Sequence, residues 1–304
     1  MSRPAEVTVA VPATSANLGP GFDALGLALE LRDEVRVQLA ADGEPAVTVE
    51  VVGEGAATLP RDASHLVVRA ALAAFEDVGV AAPRLRLHCT NRIPHGRGLG
   101  SSAAAVVAGV LAARALAGAV DDEGRAAALA VSTAIEGHPD NAAAALLGGL
   151  TIAWDDDGPR AVRVDPSPRL RATVLVPDVE LATTTARGLL PATVPHADAA
   201  HAAGRSALLV EALTRRPDLL LPATEDRLHQ AQRAPAMPAT ADLVARLRAG
   251  GLAAVVSGAG PSVLVLSDGA DRGGHAGIEG LLGSELSGWR VLPLRLADGG
   301  ATLA

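Results

Sequence analysis

Lysine is missing. All 26 basic residues of this 304-residue chain are arginine, and that single absence excludes two phosphate-binding scaffolds. A Walker A loop needs Lys before its Ser/Thr, and a protein kinase needs a strand Lys on the nucleotide phosphates. Any phosphate chemistry here must therefore rest on backbone amides, arginine and metal. Tyrosine is also missing, and aromatics make up 1% of the chain, so Ala, Val and Leu must fill the core. Cys89 is the only cysteine, which excludes an internal disulfide or a cysteine-built zinc site. The longest apolar runs, residues 103–113 and 142–153, are short and rich in Ala and Gly, too short to span a bilayer as helices. A net charge of -8 gives no basic footprint for nucleic acid. The first ten residues carry one Arg and alternate toward a strand, unlike a secretory signal. The expectation is a cytoplasmic protein with neither nucleic acid nor membrane as partner.

What is present is a globular composition, 49% hydrophobic and 20% charged, at a length that favours two domains. Alternating segments at 6–11, 35–39, 47–51 and 85–89 predict strands, and the polar, Gly-rich stretch 13–23 predicts a loop. Helical spacing predicts helices over 65–78, 101–118 and 122–136, then near 142–147, 197–213, 217–221 and 239–249. Further strands are expected at 172–176, 253–257, 262–267 and 290–296. Strands and helices follow one another without a regular βαβ alternation or an internal repeat, so the class is α+β. The turn-forming run Asp155-Asp156-Asp157-Gly158-Pro159 suggests a division into residues 1–157 and 158–304.

The stretch most charged with chemistry is Pro94-His95-Gly96-Arg97-Gly98-Leu99-Gly100-Ser101-Ser102-Ala103. Its three glycines let the backbone take positive φ and come close to a ligand. A helix start follows, whose unpaired N–H groups and positive dipole end attract anions. Ser101 and Ser102 can cap that helix or offer a hydroxyl to phosphate or metal. A dinucleotide-binding fingerprint does not fit, because the loop lacks its glycine spacing.

This stretch resembles the phosphate loop of the GHMP kinases, Pro-x-x-x-Gly-Leu-Gly-Ser-Ser-Ala, at every fixed position. Two further family motifs lie in the right order: Pro12–Asp23, in the form the homoserine-kinase branch of the family carries, and Ser257-Gly258-Ala259-Gly260-Pro261-Ser262. Three more segments resemble the same branch: Glu136–Asn141, Thr183–Pro191 and Arg227–Pro235. Thr184 and Gln232 depart from it, standing where many relatives carry Lys and an aromatic. The resemblance spans essentially the whole chain. It implies a two-domain GHMP kinase fold, with a ribosomal-S5-domain-2-like N-terminal domain, a ferredoxin-like C-terminal domain, the active site in the cleft between them, and a homodimer.

The function implied is transfer of the ATP γ-phosphate to the hydroxyl of L-homoserine, a step of threonine biosynthesis. The resemblance assigns Pro94–Ala103 to ATP, and Ser102 and Glu136 to Mg²⁺. It assigns Asn17, Asp23, His138, Asn141, Thr183, Arg187, Arg233 and Gly260 to the substrate. A zwitterionic substrate suits arginine forks for its carboxylate and Asp23 with Asn17 for its ammonium. Asn141 is expected to align the hydroxyl without an enzymic base, Asp140 being the alternative base. Two other readings stay open at this point: a GHMP kinase for another alcohol such as mevalonate, and a non-catalytic family member that senses a ligand.

Overall fold

The computed structural model describes residues 4–119, 122–269 and 275–304. The chain opens on β1 (Glu6–Asn17), which turns Val7, Val9 and Val11 into the core and pairs antiparallel with the long strand β2 (Gly21–Leu39). Segment 13–23, expected as a loop, is largely strand. Its Thr14 and Ser15 are fully buried, and Ala13–Ala16 stay in register with Gly26–Leu29. Polar composition misled here because these side chains serve a site, not solvent. The connection is irregular, with Asn17, Leu18 and Gly19 at φ 68°, 51° and 88°, as is Asp23 at φ 54°, and the β1–β2 register shifts at Pro12/Ala13 and Ala16/Asn17.

Next come β3 (Val47–Gly53), α1 (Leu66–Asp77) and β4 (Leu85–Asn91), with β3 parallel to β4 across the α1 crossover. Helix α2 (Ser101–Ala117) is built from small residues and packs against α1 and β1; α3 (Asp122–Glu136) and α4 (Asp140–Leu147) complete this helical layer. The hairpin of β5 (Leu150–Asp155) and β6 (Pro159–Val164) follows.

The second half contains β7 (Arg171–Pro177), α5 (Thr183–Gly188), α6 (His196–Thr214), α7 (Leu220–Ala223), α8 (Gln230–Arg233) and α9 (Pro238–Ala249). It continues with β8 (Ala253–Val256), β9 (Val263–Ser267), α10 (His275–Leu282), β10 (Trp289–Leu294) and β11 (Thr302–Leu303). The first sheet runs β11-β1-β2-β4-β3, with β5 also on β2 and β6 on β5. The second runs β10-β7-β9-β8 and is antiparallel throughout. This is the mixed, two-part α+β architecture expected.

The Asp155–Pro159 turn lies inside the β5–β6 hairpin, so Pro159–Val164 remains in the first sheet, and the chain changes sheet between Val164 and Arg171. An Asp-rich turn signals a reversal of any kind, and this one closes a hairpin instead of parting two domains. β11 then returns to the first sheet beside β1. Val, Leu and Ala dominate both clusters of buried side chains, and each fully buried Val or Leu contributes about 1.5–3 kcal/mol.

Candidate active site

Three stretches far apart in sequence are bonded directly to one another where the two sheets meet. Thr14 N–H donates to Leu99 O at 3.0 Å, and Gly258 N–H to Ala16 O at 3.1 Å. Asn17 Nδ2 donates to Gly258 O at 2.8 Å. The Ser257 hydroxyl lies 2.7 Å from Gly98 O and 2.8 Å from Ser15 Oγ; its single proton goes to the carbonyl, and it accepts from Ser15.

The glycines follow from these contacts. Gly98 and Gly100 have φ 72° and 69°. A Cβ at Gly98 would overlap the Ser257 carbonyl oxygen, and one at Gly100 would overlap Thr14 Oγ1. Close approach of protein to protein, and not of a ligand alone, is what these two positions require. Gly100 caps α2 in a left-handed conformation with no side-chain hydrogen bond to the first turn. That end of α2 faces the cleft through Ser101 and Ser102 and is open to an anion.

A cleft of about 630 Å³ opens here. Of the residues singled out from sequence, it is lined by Asn17, Gly96, Arg97, Gly98, Gly100, Ser101, Ser102, Glu136, His138, Asp140, Asn141, Thr183, Arg187 and Arg233. Asp23 is not part of this lining and is bonded to Arg187, which is. Pro94, Leu99 and Ala103 are packed beneath the loop, and His95 lines a neighbouring cavity. Gly260 lies off the lining; a Cβ there would meet Met237 Sδ at 2.5 Å, so the position serves the packing of its turn.

Within the cleft, Ser102 Oγ donates to Glu136 Oε1 at 2.6 Å. Glu136 closes the C-terminal turn of α3, where the helix dipole disfavours an anion. Burial pushes its carboxyl above the usual range, against the opposing pull of the Ser102 hydrogen bond and of His138. This pair of hard oxygens fits a magnesium ion that takes its other ligands from phosphates and water. Among the described residues no group of three or more His, Cys, Asp or Glu could hold a metal by itself.

Asp140 is 1% exposed. Its Oδ1 accepts from Asn141 N at 2.7 Å and from Asn141 Nδ2 at 3.3 Å, and lies 2.6 Å from His138 Nδ1. That hydrogen bond holds His138 above the usual imidazole range despite burial. Thr14 Oγ1 donates to Asn141 Oδ1 at 2.8 Å. The Asn141 amide is therefore held from both sides, and Asp140 is engaged as an anchor.

The arginines divide by role. Arg97 lines the cleft but is spent on carbonyls: Nε to Pro177 O at 2.9 Å, Nη1 to His95 O at 2.7 Å and Nη2 to Asp178 O at 2.7 Å, with Glu180 3.1 Å away. It ties the loop to β7 and is not free for phosphate. Arg187, on α5, makes a two-point fork with Asp23. Arg233, on α8, is 1% exposed. It donates to His229 Nδ1 at 3.1 Å and to Gly258 O at 3.3 Å, and packs 5.4 Å from the Phe22 ring centroid. No carboxylate of the described residues forms an ion pair with it. Asp23, Asp226 and Asp140 act on it only through space; a buried cation with no bonded anion is costly, and this one lines the cleft. His229, fully buried, lies with Nε2 2.9 Å from Gly19 O. Burial favours its neutral form, so Nε2 carries the proton and Nδ1 accepts from Arg233.

Family models match both halves of the chain. The GHMP kinases N terminal domain matches residues 65–149, and the GHMP kinases C terminal model matches 202–275. A homoserine kinase of Streptomyces coelicolor is 55% identical over 305 residues, covering 99% of this chain and 95% of that protein. The chain belongs to the homoserine kinases of the GHMP kinase family. A second member, from Streptomyces avermitilis, is 55% identical and covers 96% of this chain and 97% of that protein. The crystal structure of homoserine kinase from Cytophaga hutchinsonii superposes with a TM-score of 0.84 at 27% identity, covering 100% of this chain and 99% of that one. The ATP-dependent kinase fold of the family is thus the fold of this chain.

Four residues of this GHMP kinase site were not singled out from sequence: Thr14, Ser257, Phe22 and His229. Thr14, Phe22 and Ser257 sit inside the recognised motifs and His229 inside the Arg227–Pro235 segment, so the signal was present. What was missing was the direction of their side chains. His229 follows the Asp226 side chain, which accepts from the N–H groups of residues 228, 229 and 230. An Asp ahead of a short helical turn is the usual mark of such a cap.

Proposed function

We propose that the protein transfers the γ-phosphate of ATP to the side-chain hydroxyl of L-homoserine, giving O-phospho-L-homoserine. The observation that carries this reading is the buried, carboxylate-free Arg233 beside the Asp23–Arg187 pair, in the same cleft as the open end of α2. A zwitterion at one end and a phosphate at the other are what this charge arrangement receives. Asn141 lines the same cleft.

The nucleoside has a candidate pocket of its own. A cavity of about 640 Å³ adjoins Ser101 and Ser102 and is lined by Leu59, His65, Leu66, Val67 and Asn91. His65 is 3% exposed and both its ring nitrogens lack a partner. Burial favours the neutral ring, which offers one donor and one acceptor, a match for the edge of a purine.

Ser102 and Glu136 would hold Mg²⁺, which when bound neutralises charge on the transferring phosphoryl group. Protein cations do little of that here, since Arg97 is consumed by carbonyls and lysine is absent. Asn141 orients the substrate hydroxyl, and Thr14 and Asp140 hold the Asn141 amide. The bonds of Asp140 to His138 and Asn141 all fall on Oδ1 and fix it as an anchor; in this reading the proton of the hydroxyl passes to the phosphate. Phosphoryl transfer through a loose transition state depends mainly on alignment and charge neutralisation. ATP consumption with L-homoserine, L-threonine, mevalonate and galactose tests the assignment; turnover of mevalonate or galactose in preference to homoserine would overturn it.

Glu136 gives a test that separates function from stability. Its folded pKa is raised, so the stability contributed by the protonated form is present below the unfolded pKa and lost as pH rises through the folded one. At neutral pH the ionised group is a net cost to the fold. Glu136→Gln is expected to keep or raise Tm while lowering kcat by about tenfold or more and raising the magnesium requirement. A lower Tm with normal kcat would remove Glu136 from the site.

A further inference from the structure

Asp23 and Arg187, 164 positions apart, face each other as a fork: Nη1–Oδ2 3.0 Å and Nη2–Oδ1 2.6 Å. Each side chain is 35% exposed, so the pair sits at the mouth of the site. The fold makes little use of the pair. Asp23 is fixed independently through its backbone N–H to Asn17 Oδ1 at 3.0 Å, and α5 buries only Ala186. Beneath the pair lies Phe22, whose ring centroid is 5.8 Å from the Arg187 guanidinium and 5.4 Å from that of Arg233. Thus the groups suited to an ammonium and to a carboxylate are bonded to each other, with a second cation buried alongside.

We propose that Asp23–Arg187 is an exchangeable ion pair that admits zwitterions and rejects ligands bearing only one of the two charges. The inference rests on the homoserine reading above and adds to it the source of selectivity. When an amino acid enters, its ammonium takes over Asp23 and its carboxylate takes over Arg187 and Arg233. Two charge-assisted bonds are given up and both partners are paired again. A hydroxy acid lacking the ammonium either rests on Arg233 alone and forgoes Arg187, or opens the fork and leaves Asp23 unpaired beside its own carboxylate. An amino alcohol lacking the carboxylate leaves Arg187 unpaired beside its own ammonium. The half-ligand therefore loses one contact and, wherever it opens the fork, strands a charge next to a like charge. Selectivity of this kind comes from a built-in penalty against the wrong ligand.

The distinguishing consequence is a gain of affinity on deleting a binding group. Asp23→Asn preserves size and suits the left-handed backbone at φ 54°, and it releases Arg187. Calorimetric titration of the wild type, Asp23→Asn and Arg187→Gln with L-homoserine, γ-hydroxybutyrate and aminopropanol tests this. Asp23→Asn is expected to bind homoserine more weakly but γ-hydroxybutyrate about tenfold more tightly than the wild type, the worth of one charge-assisted contact. Arg187→Gln is expected to gain for aminopropanol in the same way. Simple loss of a contact cannot produce either gain. If the wild type phosphorylates homoserine but neither variant gains for its half-ligand, the exchange is wrong and the substrate assignment stands. If the wild type does not bind homoserine, both fall together.

Discussion

Asn141→Ala is expected to lower kcat by about 10²–10³, the usual loss for one preorganised polar group at a reacting centre. ATP affinity should barely change, since the site proposed for the nucleotide phosphates is the open end of α2. The expectation follows from how the amide is held: Oδ1 by Thr14 at 2.8 Å and Nδ2 by Asp140 at 3.3 Å. Thr14→Val removes only one of these supports and should lose about tenfold in kcat, with Thr14→Ser recovering most of it. Asn141→Asp should be no faster than the wild type, because a carboxylate adds negative charge near the γ-phosphate. Asp140→Asn separates anchor from base. As an anchor, it alters the pH profile through loss of the His138 ion pair and leaves much of the turnover. As a general base, it would cost about 10²–10⁴ in kcat with binding intact. A loss that large would overturn the base-free mechanism. Stopped-flow or steady-state kinetics across pH, with melting curves as control, distinguish the two.

Gly98→Ala is expected to be the most damaging small substitution in the nucleotide loop. A non-glycine residue in such backbone costs about 1–3 kcal/mol, and here the Cβ would also strike the Ser257 carbonyl. Gly43→Ala supplies the comparison: φ is 92°, and a Cβ there has nothing within 4 Å. Gly43→Ala should show the backbone cost alone, roughly 2–4 °C of Tm per kcal/mol in a chain of this size or a little smaller. Gly98→Ala should lose clearly more and bind ATP weakly even well below its Tm. Equal melting shifts in the two variants would mean that the contact between the loop and Ser257 carries no weight.

The sequence made the helices and the motif positions readable, because Ala- and Leu-rich helical periodicity survives in isolation and the glycine loops have fixed spacing. α3 begins and ends at Asp122 and Glu136, where its periodicity places it. Composition misread the continuation of β1 through Thr14 and Ser15, polar residues that are buried because another motif bonds to them. The β5–β6 hairpin was hidden for a related reason: its apolar stretch runs on from α4, and the Asp turn resembles a linker. Arg97 shows the limit for single residues. Its place in the loop suggests phosphate, but the carbonyls of Pro177 and Asp178, some 80 positions away, and that of His95 claim its donors. The Asp23–Arg187 fork is equally invisible in sequence, because a pair 164 positions apart leaves no local mark.

The bonds among the three motifs also set when the protein can bind nucleotide during its own synthesis. The Ser257–Gly98 contact joins positions 159 apart, and Ser257–Ser15 joins positions 242 apart. A chain emerging from the ribosome can form β1, β2 and α2 early, since domains fold from the N-terminus. The loop at Gly98 nevertheless has no Ser257 to lean on until most of the second half has been made. ATP binding is thereby expected to await completion of the fold. Because a ligand stabilises only the species that binds it, nucleotide in the cell protects finished molecules and offers nothing to stalled or truncated ones. The unfinished chains are left to chaperones and proteases.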